Sequence, residues 1–82
     1  MAPESAKAYD KRGLLNYYSG YYKKAVDDFT KAIEYAPSKA EYYHSRADAK
    51  FELGNYEEAI KDYDKAVELN KSYDDAYNNR GN

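Results

Sequence analysis

Of the side chains that most often do chemistry, the chain holds one histidine, His44, and no cysteine. Without cysteine there are no thiolate nucleophiles, no disulfides and no cysteine-ligated zinc or iron–sulfur centres. No serine sits in a nucleophile motif, so His44 has no group to activate as a base. It reads as a surface or contact residue. Carboxylates cluster at Asp27-Asp28, Asp62/Asp64 and Asp74-Asp75. None of these has the spacing or central glycine of a calcium loop, and they read as charged outer faces of helices. Four glycines are too dispersed to cradle a phosphate. The expectation is a chain that is not an enzyme and carries no cofactor and no metal.

Charge and hydropathy narrow the partners. Thirteen basic and 15 acidic residues give a formal net charge of -2, and the pI is near 5.3. A sequence-independent grip on nucleic acid needs clustered Lys and Arg, so no nucleic-acid partner is expected. No apolar run approaches the ~18–20 residues of a membrane span. The opening Met1-Ala2-Pro3-Glu4-Ser5 lacks the basic-then-apolar order of a signal peptide. No membrane partner is expected, and the cytoplasm is the default compartment. Four Leu, two Ile, two Val and two Phe make ten of 82 residues, well below the roughly 20% under which chains often stay disordered. Mean hydropathy, -1.13, points the same way. Against that stand 12 tyrosines, which bury a large ring while keeping a hydroxyl hydrogen-bonded.

A shift of 34 residues supplies the elements. Comparing positions 6–48 with 40–82 gives 13 identities in 43 pairs, among them Tyr9/Tyr43, Arg12/Arg46, Gly20/Gly54, Ala25/Ala59, Asp28/Asp62, Ala32/Ala66, Tyr43/Tyr77 and Arg46/Arg80. Tyr22, Ala25, Val26, Phe29, Ala32 and Ile33 fall on one helical face, and Tyr56, Ala59, Ile60, Tyr63, Ala66 and Val67 repeat it. Gly20 and Gly54 suit left-handed helix ends. Asn55 with Glu58 forms a capping-box-like pair, Pro37 closes the first unit, and Ser38 is a candidate cap for the next helix. The spacing predicts helices over about 4–19, 22–35, 39–53, 56–69 and 73–82, with ends uncertain by ~2–4 residues. Gly13, Ala47 and Gly81 recur at the period. Glycine inside a helix costs ~1 kcal/mol relative to alanine, tolerable where a facing ring needs the space. Tyr9, Phe29, Tyr43 and Tyr63 are the expected rings.

The chain resembles the tetratricopeptide repeat family, whose unit is ~34 residues of helix–turn–helix. The matching places hold Tyr9, Arg12, Gly13, Asn16, Ala25, Phe29, Ala32 and Pro37, then Tyr43, Arg46, Ala47, Lys50, Ala59, Tyr63, Ala66 and Lys71. Gly54-Asn55-Tyr56-Glu57-Glu58-Ala59-Ile60 is especially typical. The resemblance implies an all-α fold of antiparallel helix–turn–helix repeats stacked as a short right-handed superhelical solenoid. It divides the chain into an extension, 1–5, two repeats, 6–39 and 40–73, and a partial third, 74–82. Two departures stand out. Asn16 and Lys50 occupy places where a large ring usually packs, which implies loosely held first helices. Arg12, Arg46 and Arg80 replace an apolar residue, and an arginine can cover apolar surface with its stem while its head meets an acid or a ring.

In this family the first helices line a concave groove that receives partner peptides. Carried over, the groove side holds Lys7, Asp10, Leu14 and Tyr17, then Glu41, His44, Asp48 and Phe51, then Asp75, Asn78 and Asn82. The spacing is consistent with this, since Asp10, Leu14 and Tyr17 share a stripe distinct from that of Tyr9 and Gly13. Such a groove is acidic and aromatic and suits a protein or peptide with basic and apolar residues. Tyr17 and Phe51 are the expected anchors. Chaperone-binding members grip a terminal carboxylate with lysines, asparagines and an arginine. Those places here hold Asp10, Leu14, Ser45, Asp75 and Asn79, none basic, so no such clamp is expected. The alternative function is a structural segment of a longer array that self-assembles. The chain stops within the opening of a third unit and shows no polar capping helix, so a homo-oligomer through the face of residues 56–69 is a further expectation.

Overall fold

The computed structural model describes the backbone of residues 3–81 and the side chains of residues 5–70. Its helices are α1 (Pro3–Tyr18), α2 (Tyr22–Tyr35), α3 (Ala40–Glu52) and α4 (Tyr56–Gly81), with no strand among the described residues. α1 packs on α2, α3 on α4, and α2 on α3. The fold is therefore all-α, a stack of helix–turn–helix pairs.

The turns inside each pair form where glycine permits them. Gly20 and Gly54 have φ of 87° and 85°, the left-handed region in which a Cβ clashes. The bonds are the same at both. Gly20 N–H donates to Tyr17 O (3.1 Å) and Tyr21 N–H to Asn16 O (2.8 Å), while Gly54 N–H donates to Phe51 O (3.0 Å) and Asn55 N–H to Lys50 O (2.9 Å). Each is a Schellman closure that satisfies the last carbonyls of a first helix.

Two local expectations fail. Ser38 does not cap α3. Lys39 is the N-cap, extended and without a side-chain bond, and acidic Glu41 in the first turn favours the positive helix end instead. Residues 56–69 and 73–82 are not separate helices, since α4 runs unbroken from Tyr56 to Gly81. The 34-residue shift puts Lys71 where Pro37 stands in the first unit. Proline drives its predecessor out of the helical region, as at Ala36 (φ -141°, ψ 76°). Lys71 exerts no such constraint.

The core is small and aromatic. Ala6, Ala32, Ile33 and Tyr42 form one buried cluster, flanked by Tyr9, Tyr35, Ala36 and Tyr43. Ala25, Phe29 and Ala49 form a second, flanked by Leu14, Tyr17 and Val26. Tyr9 stacks on Tyr35 with ring centres 5.8 Å apart. Gly13 has the packing reason its recurrence implies. A Cβ built there would lie 2.7 Å from Cε1 of the fully buried Phe29. In the second unit Ala47 takes that place, and the equivalent ring, Tyr63, is only half-buried. The tyrosines at recurring positions do not all pack alike. Tyr9, Tyr22 and Tyr43 are half-buried, whereas Tyr56 is exposed.

The expectation of loosely held first helices is overturned by two buried aspartates. Asp28 and Asp62 are 4% and 5% exposed, so the reading of their clusters as outer faces holds only for their exposed neighbours Asp27 and Asp64. Arg12 donates to Asp28 through Nε (3.0 Å) and Nη2 (2.8 Å), and Asn16 Nδ2 donates to its other oxygen (2.8 Å). The second unit repeats this. Arg46 grips Asp62 through Nε (2.7 Å) and Nη2 (2.8 Å), and Lys50 Nζ lies 3.0 Å from Oδ2. Residues that depart from the family's rings are thus the donors for a buried carboxylate. Each guanidinium also lies over a ring, Arg12 on Tyr9 at 5.4 Å and Arg46 on Tyr43 at 5.7 Å. Arg46 Nη1 reaches Thr30 Oγ1 (3.1 Å) on α2, tying the two pairs together.

These contacts set the stability. Gly13→Ala gains about 1 kcal/mol of helix propensity but forces overpacking worth about 1–3 kcal/mol, so denaturant melts should show a net loss. A variant as stable as the parent would contradict the close contact. Gly54→Ala meets open space yet should still cost about 1–2 kcal/mol through left-handed strain. Arg46→Ala strands a buried carboxylate and should cost about 3 kcal/mol. Arg12→Ala should cost less, because its side chain is 65% exposed against 18% for Arg46. Burial alone would raise the Asp62 carboxyl, but the Arg46 and Lys50 bonds outweigh it and hold it below the usual range. A depressed carboxylate adds stability above its unfolded value of about 3.9, and that stability is lost as pH falls through the folded value. Asp62→Asn should therefore flatten the acid limb of a stability–pH curve below about pH 4.

Candidate functional site

The faces of α1 and α3 turned away from the aspartate bridges come together. Three positions on each helix match at an offset of 31 residues: Asp10 with Glu41, Leu14 with Ser45, and Tyr17 with Asp48. The last two pairs line a recess of about 110 Å³ whose remaining walls are Tyr18 and Phe29. Phe29 therefore fills the gap above Gly13 and also forms part of this recess. Tyr17 is locked by edge-on contacts to Tyr18 (5.3 Å) and Tyr22 (5.4 Å), which leaves it little rotamer freedom to lose.

Electrostatics along the recess is acidic. Burial raises the Asp10 carboxyl, and Glu41 raises it further. Burial likewise raises the Tyr17 phenol, with Asp48 and Glu52 adding to the effect. Tyr63 donates its hydroxyl to Asp48 Oδ1, and its phenol is pushed up to about 12, first by burial and then by that bond. His44 lies beside this pair, with Nδ1 3.5 Å from Asp48 Oδ2 and its ring edge-on to Tyr63 at 5.3 Å. The arrangement sets the Asp48 carboxylate among the aromatic rings that line the recess, a combination that suits a cationic group with an apolar stem.

The expected groove residues divide into three sets. Asp10, Leu14, Tyr17, Glu41 and Asp48 lie along the α1–α3 face, with His44 beside Asp48 and against Tyr63 of α4. Lys7 is exposed, with no part in the recess. Phe51 does not line it either: it is 51% exposed and packs edge-on against Tyr56, 5.0 Å away, at the turn into α4. Asp75, Asn78 and Asn82 lie outside the residues whose side chains are described. Sequence reading missed Tyr18 and Tyr63 as contributors, and named Ser45 only as a place in the clamp it expected to be absent. Ser45 follows from the offset of 31, which the period of 34 conceals. Tyr63 left no separate signal, because its spacing marks it equally as a packing ring.

Family comparison agrees with the helix–turn–helix repeat fold. A model described as tetratricopeptide repeat matches residues 6–39, and one described as TPR repeat matches residues 47–82. The chain belongs to the tetratricopeptide repeat family. Solved structures similar to this repeat protein include the TPR domain of Arabidopsis OM64, at 32% identity and TM-score 0.83 over 84% of this chain and 57% of that one. MamA matches at 31% and 0.81, over 85% of this chain and 41% of that one. The first TPR of Spaghetti (RPAP3), solved bound to the HSP90 peptide SRMEEVD, matches at 32% and 0.83, over 99% and 64%. The repeat protein thus spans less than two thirds of each of these chains. A search of curated proteins gives no match. Among the described residues no helix is long and apolar enough to cross a membrane.

Spectrophotometric titration should find one phenol ionising near pH 12, identified as Tyr63 by its loss in Tyr63→Phe. Asp48→Asn should lower that value while burial keeps it above the ordinary value of about 10. A Tyr63 that titrates with the exposed tyrosines would contradict the Asp48 bond.

Proposed function

We propose that this repeat protein is a protein–protein interaction module whose α1–α3 face binds an extended partner segment bearing basic and apolar residues. The observation that supports this reading is the recess lined by Leu14, Tyr17, Tyr18, Phe29, Ser45 and Asp48, which sets aromatic rings beside a carboxylate. Tyr17 is the anchor, Asp48 receives a lysine or arginine, and Asp10 with Glu41 extends the acidic track. A bound cation would relieve the repulsion between those two carboxylates. Repeats 6–39 and 40–73 each contribute one wall. The Spaghetti domain binds a peptide with an acidic tail. In this reading the present chain has no carboxylate clamp and prefers the opposite charge, because Asp10, Leu14 and Ser45 supply no cation.

Fluorescence anisotropy with two labelled peptides tests this, one of alternating basic and leucine residues and one ending in SRMEEVD. The basic peptide should bind, and more weakly as salt rises. Tyr17→Ala should weaken it by about 30-fold, the effect of losing an anchor worth ~2 kcal/mol. Asp48→Asn should weaken it several-fold, mostly in the association rate. Phe51→Ala should leave it unchanged. Preferential binding of the acidic peptide would overturn the reading.

A further inference from the structure

The α2–α3 contact shows how one helix pair stacks on the next, and the 34-residue shift turns it into a template for a contact the chain does not make internally. In the template Ile33 is 9% exposed, and its counterpart on α4, Val67, is 61% exposed. Val26 is half-buried, whereas Ile60 is 56% exposed. α1 shows the matching deficit. Ala49 on α3 is fully buried, and its counterpart Leu15 is 69% exposed. The side chain of Arg46 is 18% exposed and that of Arg12 is 65% exposed. Residues 73–81 continue α4 as one helix, so they cannot fold back over residues 56–69.

Charge selects the occupant. Within the chain Arg46 Nη1 takes Thr30 Oγ1 as acceptor. The shift maps Thr30 onto Asp64, an exposed carboxylate on α4, and Arg46 onto Arg12 on α1. The acceptor on α4 is thus anionic where the internal one is neutral, and guanidinium–carboxylate bonds are the stronger kind. We propose that a second copy of this chain stacks its α1 on the exposed face of α4, head to tail, with Arg12 of one copy on Asp64 of the other. Arg12 keeps its bond to Asp28, as Arg46 keeps its bond to Asp62 while reaching Thr30. The contact joins different surfaces on the two copies, so it leaves a free α1 and a free α4 at the ends and adds further copies. Ala8 stands where Tyr42 fills the internal contact, so the association is weaker than the internal stacking.

Sedimentation velocity on the whole chain up to about 1 mM, a range that exposes a millimolar contact, tests the proposal. Its weight-average mass should rise past that of a dimer with no plateau. Leu15→Glu and the double variant Ile60→Glu, Val67→Glu alter exposed side chains only, so circular dichroism should show both folded. Each alone should be monomeric, and an equal mixture should form a one-to-one dimer and stop there, because one free face survives on each. Asp64→Arg should weaken association by about tenfold, and salt should weaken the parent's association. A parent that is monomeric throughout, a plateau at a dimer, a mixture that stays monomeric or an indifferent Asp64→Arg would each overturn it.

Discussion

Each helix pair is organised around one carboxylate withdrawn from water. Asp28 and Asp62 are buried, and each accepts bonds from an arginine and a second donor on the preceding helix. A buried ion pair adds little net stability over an apolar pair of the same shape, but it is costly to break. Its consequence here is positional. Alanine, glycine and tyrosine faces permit neighbouring registers at little cost, since the chain has only ten Leu, Ile, Val and Phe residues. Slippage by one turn would leave a carboxylate unpaired, so the bridge excludes it. No buried polar side-chain atom among the described residues lacks a partner.

The recess depends on that constraint. Arg12 and Asn16, one turn apart on α1, face α2, and Leu14 and Tyr17 consequently face α3. On α3, Arg46 and Lys50 reach Asp62 on α4, while Ser45 and Asp48 line the recess with Leu14 and Tyr17, Asp48 also holding Tyr63 of α4. The bond from Arg46 to Thr30 fixes the second pair against the first. Gly13 lets Phe29 approach α1 closely enough to form a wall of the recess. Structure and candidate binding surface are thus opposite faces of the same two helices.

The period of 34 made the helix pairs, both glycine turns and the Gly13 gap legible. It also held a signal that reading by residue type passed over. Asp28 lies three residues after Ala25 and four before Ala32, on the buried stripe, and Asp62 repeats that spacing. A charge at a core position needs a partner, and Arg12 recurs at the same period. Tyr42 and Ala49 were not legible, because they are buried by the stacking of one pair on the next and have no identical residue 34 places away. The unbroken α4 was concealed by the repeat itself, which implied a break that only Pro37 enforces. Phe51 shares the stripe of Asp48 but lies beyond the reach of α1, a matter of packing that helical spacing does not encode.

The central claim is that the aspartate bridges act as pairs and set the register of the helices. A double-mutant cycle on Arg46 and Asp62, with both replaced by alanine singly and together in urea unfolding, tests it most directly. The account predicts a coupling of about 2 kcal/mol or more, with the double variant more stable than the two single losses combined imply. Losses that add to within about 0.5 kcal/mol would contradict it, and would make the two residues independent contributors to the fold.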